Sequence, residues 1–370
     1  MVTAATIRQL AAECGFELAG VSPVLPVPDA ERYADWALRG LAGEMQYLTD
    51  HRAGVRQDPR QMLKCVRSVI SVGNYYGGPE PLTTDFDEAG RGWISRYAWG
   101  EDYHGVLRRG LERLAARLAE RVAEEGGDFE WRACVDTAPL LERSYARQAG
   151  LGWIGKNTCL INEDRGSWFF LGELLVSFRV EILAEMAENR CGSCTRCIDA
   201  CPTQAIMRHE MDRAGSDDAD GAWELDARLC ISYFTIELRG DIPEAARPGL
   251  GKHVFGCDIC QDVCPWNNRA AWRGVNEPAA EFRPRGTTSA MSPPLIEMAA
   301  LGEAEFRAMF RGTPVTRAKH AGFLRNVAIA MGNSGEASLI EPLRRLAQHE
   351  NEMVARHARW ALERLRRSSI

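Results

Sequence analysis

The sequence lacks any apolar stretch of the roughly 18 residues that a membrane-spanning helix needs, so no membrane segment is expected. Its first residues also lack a basic segment leading into an apolar core, and they contain no twin-arginine pair. Export is therefore not expected, and a cytoplasmic location is predicted. With 370 residues, of which 45% are hydrophobic and 26% charged, the composition is that of an ordinary globular protein of two or three domains.

Cysteine, by contrast, is abundant, with twelve residues in a chain that shows no export signal. A reducing compartment keeps thiols free, so closely spaced cysteines in such a chain more often hold metal than form disulfides. The stretch CGSCTRCIDACP, residues 191–202, has the C-x2-C-x2-C-x3-C-P spacing of bacterial ferredoxins, in which the fourth cysteine serves a second cluster. This spacing predicts a second run of cysteines.

The second run is CDICQDVCP, which carries three cysteines and has Val254 where the first cysteine of a complete run would stand. Cys230 is the best candidate for the missing ligand, which brings the thiolates to eight and matches two 4Fe-4S clusters. Two four-cysteine zinc sites are the alternative, although such sites are usually built from two C-x2-C knuckles. The predicted ligand sets are Cys191, Cys194, Cys197 and Cys264 for one cluster, and Cys201, Cys230, Cys257 and Cys260 for the other. The remaining cysteines are predicted to be small buried hydrophobes, namely Cys14, Cys65, Cys134 and Cys159.

Two clusters form an electron relay, which needs a site that consumes the electrons, and residues 1–185 are where that site is expected. RSVISVGNYY, residues 67–76, predicts a buried strand, and residues 107–127 have the pattern of an amphipathic helix closed by glycine. WRACVD, residues 131–136, predicts another strand. The alternation of helix and strand indicates an α/β domain.

Asp136 stands at the end of this last predicted strand, ahead of Pro139. One interpretation makes it a helix N-cap, since aspartate before a proline-led helix is a favoured arrangement. The other makes it a general acid at the mouth of the domain. The two conflict, because a helix N-terminus favours the carboxylate whereas a proton donor needs surroundings that hold its proton.

Four segments together resemble the epoxyqueuosine reductase family: VDTAPLLERSYARQAGLGWIGKNTCLI, the two cysteine runs, and ISYFTIELRG. The resemblance covers nearly the whole chain. It implies a nitroreductase-like α/β domain that binds cobalamin, two 4Fe-4S clusters, and reduction of epoxyqueuosine to queuosine at the wobble position of tRNA. Asp136 matches the proton donor of the family, and the isolated Cys230 agrees with its ligand pattern.

Cobalamin is implied by the resemblance alone, because the chain has no D-x-H-x-x-G motif for a lower ligand. His104 is expected to be structural rather than a cobalt ligand. Each candidate contact also has a structural alternative, as a surface cation, a core aromatic residue, a turn residue or a cap. The candidate cobalamin contacts are Arg56, Tyr97, Asp136, Asn157, Ser167 and Ser232.

The C-terminal residues change character, since residues 301–370 carry twelve Lys and Arg against seven Asp and Glu in a chain of net charge −6. FLRNVAIAMGNSG and VARHARWALERLR align with Arg325 over Arg356, a period typical of paired-helix, HEAT-like repeats. A solvated helix face is the alternative to a phosphate-binding surface, and the resemblance favours tRNA. The predicted tRNA contacts are Arg317, Lys319, Arg325 and Asn326.

The sequence thus predicts three domains: an α/β cobalamin-binding catalytic domain (1–185), a ferredoxin-like domain with two clusters (186–270), and a linker with a helical repeat that binds tRNA (271–370). The acidic stretch 209–226 departs from the family and is interpreted as a surface loop. The expected partners are tRNA with a GUN-type anticodon bearing epoxyqueuosine and an external electron donor, and a monomer is expected. A cobalamin-dependent reductive dehalogenase and an iron-sulfur electron carrier are the alternatives. The first usually carries an export signal, and the second needs no α/β domain.

Overall fold

The computed structural model describes residues 2–24, 27, 29–181, 186–209, 223–272, 277–286 and 290–368. The helices are α1 Ala4–Glu13, α2 Asp29–Leu38, α3 Gln46–Thr49, α4 Arg52–Val55, α5 Tyr103–Ala123, α6 Glu142–Gln148, α7 Arg196–Asp199, α8 Ile259–Asp262, α9 Pro265–Trp272, α10 Leu295–Ala299, α11 Glu303–Met309, α12 Lys319–Ser334, α13 Ile340–Leu346 and α14 Glu352–Ser368. The strands are β1 Leu18–Pro23, β2 Ser68–Tyr75, β3 Trp93–Ile94, β4 Trp131–Cys134, β5 Trp153–Ile154, β6 Leu160–Ile161, β7 Phe169–Val176, β8 Ile206–Arg208, β9 Trp223–Leu225 and β10 His253–Phe255.

The main sheet has four strands in the order β1-β2-β7-β4, and every neighbouring pair is antiparallel. The three elements predicted in this part are confirmed as β2, α5 and β4. Strand β2 is buried along its whole length, which explains its continuous run of small and apolar residues. Antiparallel β4 and β7 place Cys134 opposite Glu173, so that the chain leaves β4 beside the middle of β7.

Helices cover both faces of this sheet. On one face, α1 and α5 pack against apolar side chains of the strands. On α5, Leu107, Leu111, Leu114 and Leu118 recur at helical spacing, are fully buried, and each contribute about 1.5–3 kcal/mol. On the other face, α6 buries Tyr145 against Val69 and Leu175. The sheet is thus the middle layer of this part of the chain.

The C-terminal helices share a core with the middle of the chain. This core joins β3 and β10 to helices α10 to α14. Helix α12 is buried on nearly all sides, and a Cβ at Gly332 would lie 2.7 Å from the backbone of Ala361 on α14. Only glycine allows these two helices to approach so closely.

The stretch interpreted as a surface loop, residues 209–226, falls largely outside the described residues. Its two ends are described, and strands β8 and β9 pair as an antiparallel hairpin at the base of the stretch. Among the described residues, no helix is both long and apolar enough to cross a membrane.

Candidate functional site

Asp136 lies on the loop that follows β4, and its φ of 43° is in the left-handed region that L-residues rarely adopt. Helix α6 begins six residues later, its N-cap position is Leu141, and no side chain caps it. The interpretation of Asp136 as a helix N-cap is therefore wrong. The physical reason is that its side chain turns away from the helix and binds other side chains.

Three donors converge on one carboxylate oxygen of Asp136. The hydroxyl of Tyr103 donates to Oδ2 at 2.8 Å, Nε2 of His104 lies 3.1 Å from it, and Nη1 of Arg317 donates to it at 3.3 Å. Tyr103 and His104 are the first two residues of α5, where Asp102 is the N-cap and accepts the backbone N–H of His104. The cap therefore fixes the direction in which both rings point.

The charges of this group are strongly coupled. Burial raises the pKa of Asp136, but the hydrogen bond from His104 and the charge of Arg317 outweigh it and lower the pKa to about 2. Burial lowers the pKa of His104, whereas its bonds to Asp102 and Asp136 raise it to a net value of about 9. At neutral pH the group therefore holds a carboxylate on Asp136 and a proton on His104.

Arg317 reaches this group from the C-terminal part of the chain, 181 positions after Asp136. Its Nε lies 2.9 Å from Oε1 of Glu237, and its Nη2 donates to the hydroxyl of Tyr47 at 3.4 Å. The prediction of Arg317 as a tRNA contact did not anticipate this position. Arg317 is one third exposed and can still face a ligand while it neutralises Asp136.

A cavity of about 390 Å³ opens beside Asp136. The Asp136 side chain is 39% exposed, and it lines this cavity. The cavity wall combines aromatic rings with charged side chains. The rings are Tyr33, Trp36, Tyr47 and Trp223, the basic residues are Arg32, Arg56, Arg143, Arg147 and Lys156, and the acidic residues are Asp29, Asp136, Glu142 and Glu224. Such a wall suits a ligand with flat rings and a phosphate.

The first predicted ligand set surrounds a cavity of about 300 Å³, whose lining includes all four thiols of Cys191, Cys194, Cys197 and Cys264. Burial and the other three thiols of the set together raise the pKa of Cys197 to about 12. Lys156 donates to the carbonyls of Gly192 and Cys194 at 2.6 and 3.0 Å, which fixes the loop that carries two of the thiols.

The second predicted set is also brought together. Burial raises the pKa of Cys257 well above its ordinary value, and so do its neighbours Cys230 and Cys201. Cys260 is partly buried and has Cys159, Cys257 and Cys230 as neighbours. Within the described residues, no three His, Cys, Asp or Glu side chains converge on one point as the ligands of a single metal ion do.

The four cysteines outside the runs differ in their surroundings. Cys14 and Cys134 are buried, as predicted, whereas Cys65 and Cys159 are only partly buried. Cys159 is moreover a direct neighbour of Cys260, whose thiol holds the pKa of Cys159 below its usual range. The prediction of small buried hydrophobes is therefore confirmed for Cys14 and Cys134 and wrong for Cys65 and Cys159.

The candidate cobalamin contacts fall into two groups. Arg56 lines the cavity beside Asp136 and donates to the carbonyl of Tyr47 at 2.9 Å. Tyr97 packs edge-on against Tyr103, with ring centroids 6.2 Å apart, behind Asp136. The other three lie near the cysteines: Asn157 donates to the carbonyl of Cys260 at 3.3 Å, Ser167 donates to Gln261 at 2.9 Å, and Ser232 hydrogen-bonds the thiol of Cys230.

Two predicted tRNA contacts are wrong, because Arg325 and Asn326 are fully buried. Arg325 donates to the carbonyls of Phe234, Leu238 and Gly240, and Asn326 donates to those of Thr235 and Val254. The repeat pattern aligned Arg325 with Arg356, but α12 is enclosed and its polar side chains bind backbone. Lys319 is exposed at the start of the same helix and remains a candidate contact.

Arg325→Leu is expected to destabilise the fold by about 3–5 kcal/mol, because three buried carbonyls lose their charged donor. The matched control is Arg356→Leu, which removes an exposed ion pair with Asp241 and should cost no more than about 1 kcal/mol. Urea denaturation of both variants measures the difference. Equal midpoints for the two variants would contradict the role assigned to Arg325.

Two features of the site escaped the sequence analysis. The sequence-based predictions do not include Tyr103, and they give His104 only a structural role. Asp102 is nevertheless a recognisable N-cap, which places both residues at the start of a helix. Glu142, whose carboxylate accepts the backbone N–H of Asp136, was also missed. No signal in the sequence marks this last contact, because it depends on the fold of the loop between them.

Comparison with known proteins agrees with this arrangement. A family described as "Epoxyqueuosine reductase QueG, DUF1730" matches residues 56–137, and one described as "4Fe-4S double cluster binding domain" matches residues 190–267. The epoxyqueuosine reductase of Xanthomonas campestris is 40% identical over 97% of this chain and 95% of its own length.

Two solved structures extend the similarity to three dimensions. A crystal structure of epoxyqueuosine reductase with an epoxyqueuosine-modified tRNA-Tyr stem loop has a TM-score of 0.81 and 26% identity, over 97% of this chain and 89% of that chain. The epoxyqueuosine reductase of Bacillus subtilis, solved with its aspartate catalytic loop swung out of the active site, has a TM-score of 0.79 and 25% identity, over 97% and 89% of the two chains.

Proposed function

Because the chain belongs to the epoxyqueuosine reductase family, we propose that it reduces epoxyqueuosine to queuosine at the wobble position of tRNA. The reaction removes the epoxide oxygen as water and leaves an alkene, which consumes two electrons and two protons. The observation that carries the proposal is the carboxylate of Asp136, which faces a cavity and is bonded to a protonated histidine. A pure electron carrier has no use for such a group, and therefore the enzyme is the better interpretation.

The chain binds two 4Fe-4S clusters rather than two zinc ions. We assign the two sets of four cysteines predicted above as their ligands, and the cavity between the thiols of the first set supports that assignment. The loop that carries Cys191, Cys194 and Cys197 of the first set is exposed at Gly192 and Arg196, which gives an external donor access to this set. Cys260 of the second set lies next to Asn157, and Gly256 contacts Ser95 and Tyr97 near Asp136. Electrons from an external donor would therefore enter at the first set and leave from the second.

Cobalamin fits the cavity beside Asp136 by the chemistry of its walls, since the nucleotide tail of cobalamin carries a flat base and a phosphate. Arg56 and the aromatic residues of the wall would hold it, with Tyr97, Asn157, Ser167 and Ser232 as further contacts. When bound, cobalamin supplies a strongly reduced metal, and the clusters supply electrons one at a time. Both ring nitrogens of His104 face carboxylates, at 2.7 Å from Asp102 and 3.1 Å from Asp136, so that neither is free for a metal.

The side chains around Asp136 deliver the proton. His104 stores it at Nε2, and Asp136 Oδ2 lies between that nitrogen and the cavity. We propose that the departing oxygen takes the first of its two protons from this pair through Asp136 and the second from water, while Tyr103 and Arg317 hold the carboxylate in place. The aspartate therefore acts as one member of a coupled acid pair rather than as an isolated acid in an apolar pocket.

The described C-terminal helices carry the other half of the proposal, which is RNA binding. We propose that they form a HEAT-like repeat whose exposed basic residues contact phosphates of the anticodon stem loop, and that the wobble base is extruded into the cavity. Arg317 and Lys319 are the contacts retained from the sequence. The protein is expected to act in the cytoplasm as a monomer on tRNA with a GUN-type anticodon.

Lys319→Ala is expected to weaken binding of the tRNA stem loop and to lower the slope of log affinity against log salt by about one. The reason is that one phosphate contact releases about one counterion. Lys64→Ala is the matched control, because Lys64 is also an exposed lysine but lies near the start of β4, outside the C-terminal helices. Its position is shown by Met62, whose carbonyl accepts a hydrogen bond from Arg132 on β4. An equal slope for wild type and Lys319→Ala would remove this residue from the RNA-binding surface.

The cofactor assignment is tested by metal analysis of the anaerobically purified protein after incubation with cobalamin. About eight irons and one cobalt per chain are expected from two clusters and one corrinoid. Full iron without cobalt uptake would contradict the cobalamin assignment and would favour the electron carrier.

A further inference from the structure

Two further acidic residues, Glu142 and Glu173, lie behind the loop that carries Asp136. The backbone N–H of Asp136 donates to Oε1 of Glu142, the first residue of α6. The φ of Asp136 is 43°, a conformation that a non-glycine residue keeps only when contacts with the surrounding structure hold it. The bond to Glu142 is such a contact. A chain segment in such a conformation relaxes when its support is removed, so that the Glu142 bond bears directly on where the Asp136 carboxylate lies.

Glu173 lies behind Glu142 on β7, opposite Cys134 at the end of β4. It is fully buried, and neither of its carboxyl oxygens has a hydrogen-bond donor among the described residues. The group that faces it is Glu142. Two ionised carboxylates are both acceptors only and repel each other, so they can bond only when one of them carries a proton.

The electrostatics of the pair agree with a shared proton. Burial and the charge of Asp136 together raise the pKa of Glu142 to about 8. Burial raises the pKa of Glu173 well above its ordinary value, and Glu142 adds to this. The charged and titratable groups that face the pair are Asp136 and Cys134 on the β4 segment, Arg143 on α6 and His104 on α5.

We propose that Glu142 is the positioning residue of the active site, and that Glu142 and Glu173 share one proton to form a latch that holds the Asp136 loop in its reactive position. This inference rests on the proposed function for its catalytic consequence. The Bacillus subtilis enzyme has been solved with its aspartate catalytic loop swung out of the active site, whereas in this structure Asp136 lines the cavity.

The sign of the pH dependence follows from the raised pKa values. A carboxyl group whose pKa is higher in the latched state than in the open state stabilises the latched state. This stabilisation is complete at pH values below the ordinary carboxyl pKa near 4. That stabilisation is lost as the pH rises through about 8, where the shared proton leaves the pair. The carboxylates of Glu142 and the buried Glu173 then repel each other and favour the open loop.

The test compares Glu142→Met with Glu142→Gln. Methionine keeps the volume but accepts no hydrogen bond, whereas glutamine accepts the Asp136 N–H and donates its amide to an ionised Glu173. Amide hydrogen exchange at Asp136 is expected to speed up by about 10- to 100-fold in the methionine variant and to stay within about threefold of wild type in the glutamine variant. Glu305→Met is the matched control, because Glu305 also accepts a backbone N–H, from Gly302 at 2.8 Å, far from Asp136.

Single-turnover reduction of epoxyqueuosine-containing RNA, measured from pH 6 to pH 10, gives the functional half. We expect Glu142→Met to react at least tenfold more slowly than Glu142→Gln at pH 7. In wild type the rate should fall near pH 8 and again near pH 9. The glutamine variant should lose the fall near pH 8 and keep the one near pH 9, which His104 sets. Glutamine and methionine variants with equal exchange and equal rates would overturn the proposal, and so would a glutamine variant with the pH profile of wild type.

The exchange measurement separates this proposal from the proposed function. A wild-type protein that loads its cofactors but does not reduce the RNA would contradict the function, and the exchange rates at Asp136 would still decide whether the latch exists. If the methionine variant does not fold, the glutamine variant alone decides, by the presence or absence of its alkaline shift.

Discussion

Replacement of Asp136 with asparagine is expected to slow reduction of epoxyqueuosine by about 10²- to 10⁴-fold, the usual cost of losing a general acid or base. Asparagine has nearly the same size and can still accept from Tyr103 and Arg317 at its amide oxygen. It cannot take the proton of His104 and pass it on. Folding, iron content and cobalamin uptake should stay at wild-type levels, and single-turnover rates with quantified nucleosides measure the effect.

The same variant gives a second, independent readout. The carboxylate of Asp136 contributes to the raised pKa of His104, through a hydrogen bond and through its charge. In Asp136→Asn the pKa of His104 should therefore fall from about 9 while the bond to Asp102 remains. A variant that loads its cofactors, reacts at the wild-type rate and keeps the pKa of His104 would remove Asp136 from the mechanism.

The second large effect is expected at Cys230, the ligand that stands outside both cysteine runs. Cys230→Ser should lose about half of the iron, because a serine oxygen replaces a thiolate poorly in a 4Fe-4S cluster. Reduction of RNA should then be nearly abolished even with chemical reductant, because the proposed electron route leaves the protein through this set. Iron analysis and the visible spectrum of the anaerobic protein measure the loss.

Cys65→Ser is the matched control, because Cys65 is a partly buried cysteine outside both ligand sets. It should keep full iron and full activity. If Cys230→Ser also keeps the iron of wild type, the ligand set is wrong, and Cys159, which adjoins Cys260, becomes the first alternative.

The grouping of the first three cysteines could be predicted from the sequence because the information for it is local. A spacing such as C-x2-C-x2-C-x3-C-P constrains the chain over a few residues, and the structure brings Cys191, Cys194 and Cys197 together with Cys264. Strand β2 and helix α5 were also predicted, since a buried run and a helical period are properties of a short segment.

The surroundings of Asp136 could not be predicted in the same way. Its donors come from positions 103, 104 and 317, and the last of these is separated from Asp136 by the whole cluster region. No local pattern encodes such a contact. Glu142 and Asp136 are close in sequence, but their bond depends on the left-handed conformation of Asp136. Aspartate adopts this conformation only occasionally, and no local pattern predicts it at this position.

The error at Arg325 and Asn326 has a different cause. Charge counting assigns arginine to the surface, and the repeat gave no means of telling an enclosed helix from an exposed one. In the fold, the carbonyls of residues 234–240 have to be satisfied, and two polar side chains of α12 satisfy them. The basic surplus of the C-terminal part is therefore smaller at the surface than it is in the sequence.

The central claim is tested most directly by one reaction. The anaerobically purified protein, loaded with iron-sulfur clusters and cobalamin and supplied with a chemical reductant, is incubated with an epoxyqueuosine-containing anticodon stem loop, and the product nucleosides are quantified. We predict conversion to queuosine that requires both the reductant and cobalamin. Epoxyqueuosine that remains unchanged in the presence of fully loaded and reduced protein would contradict the account.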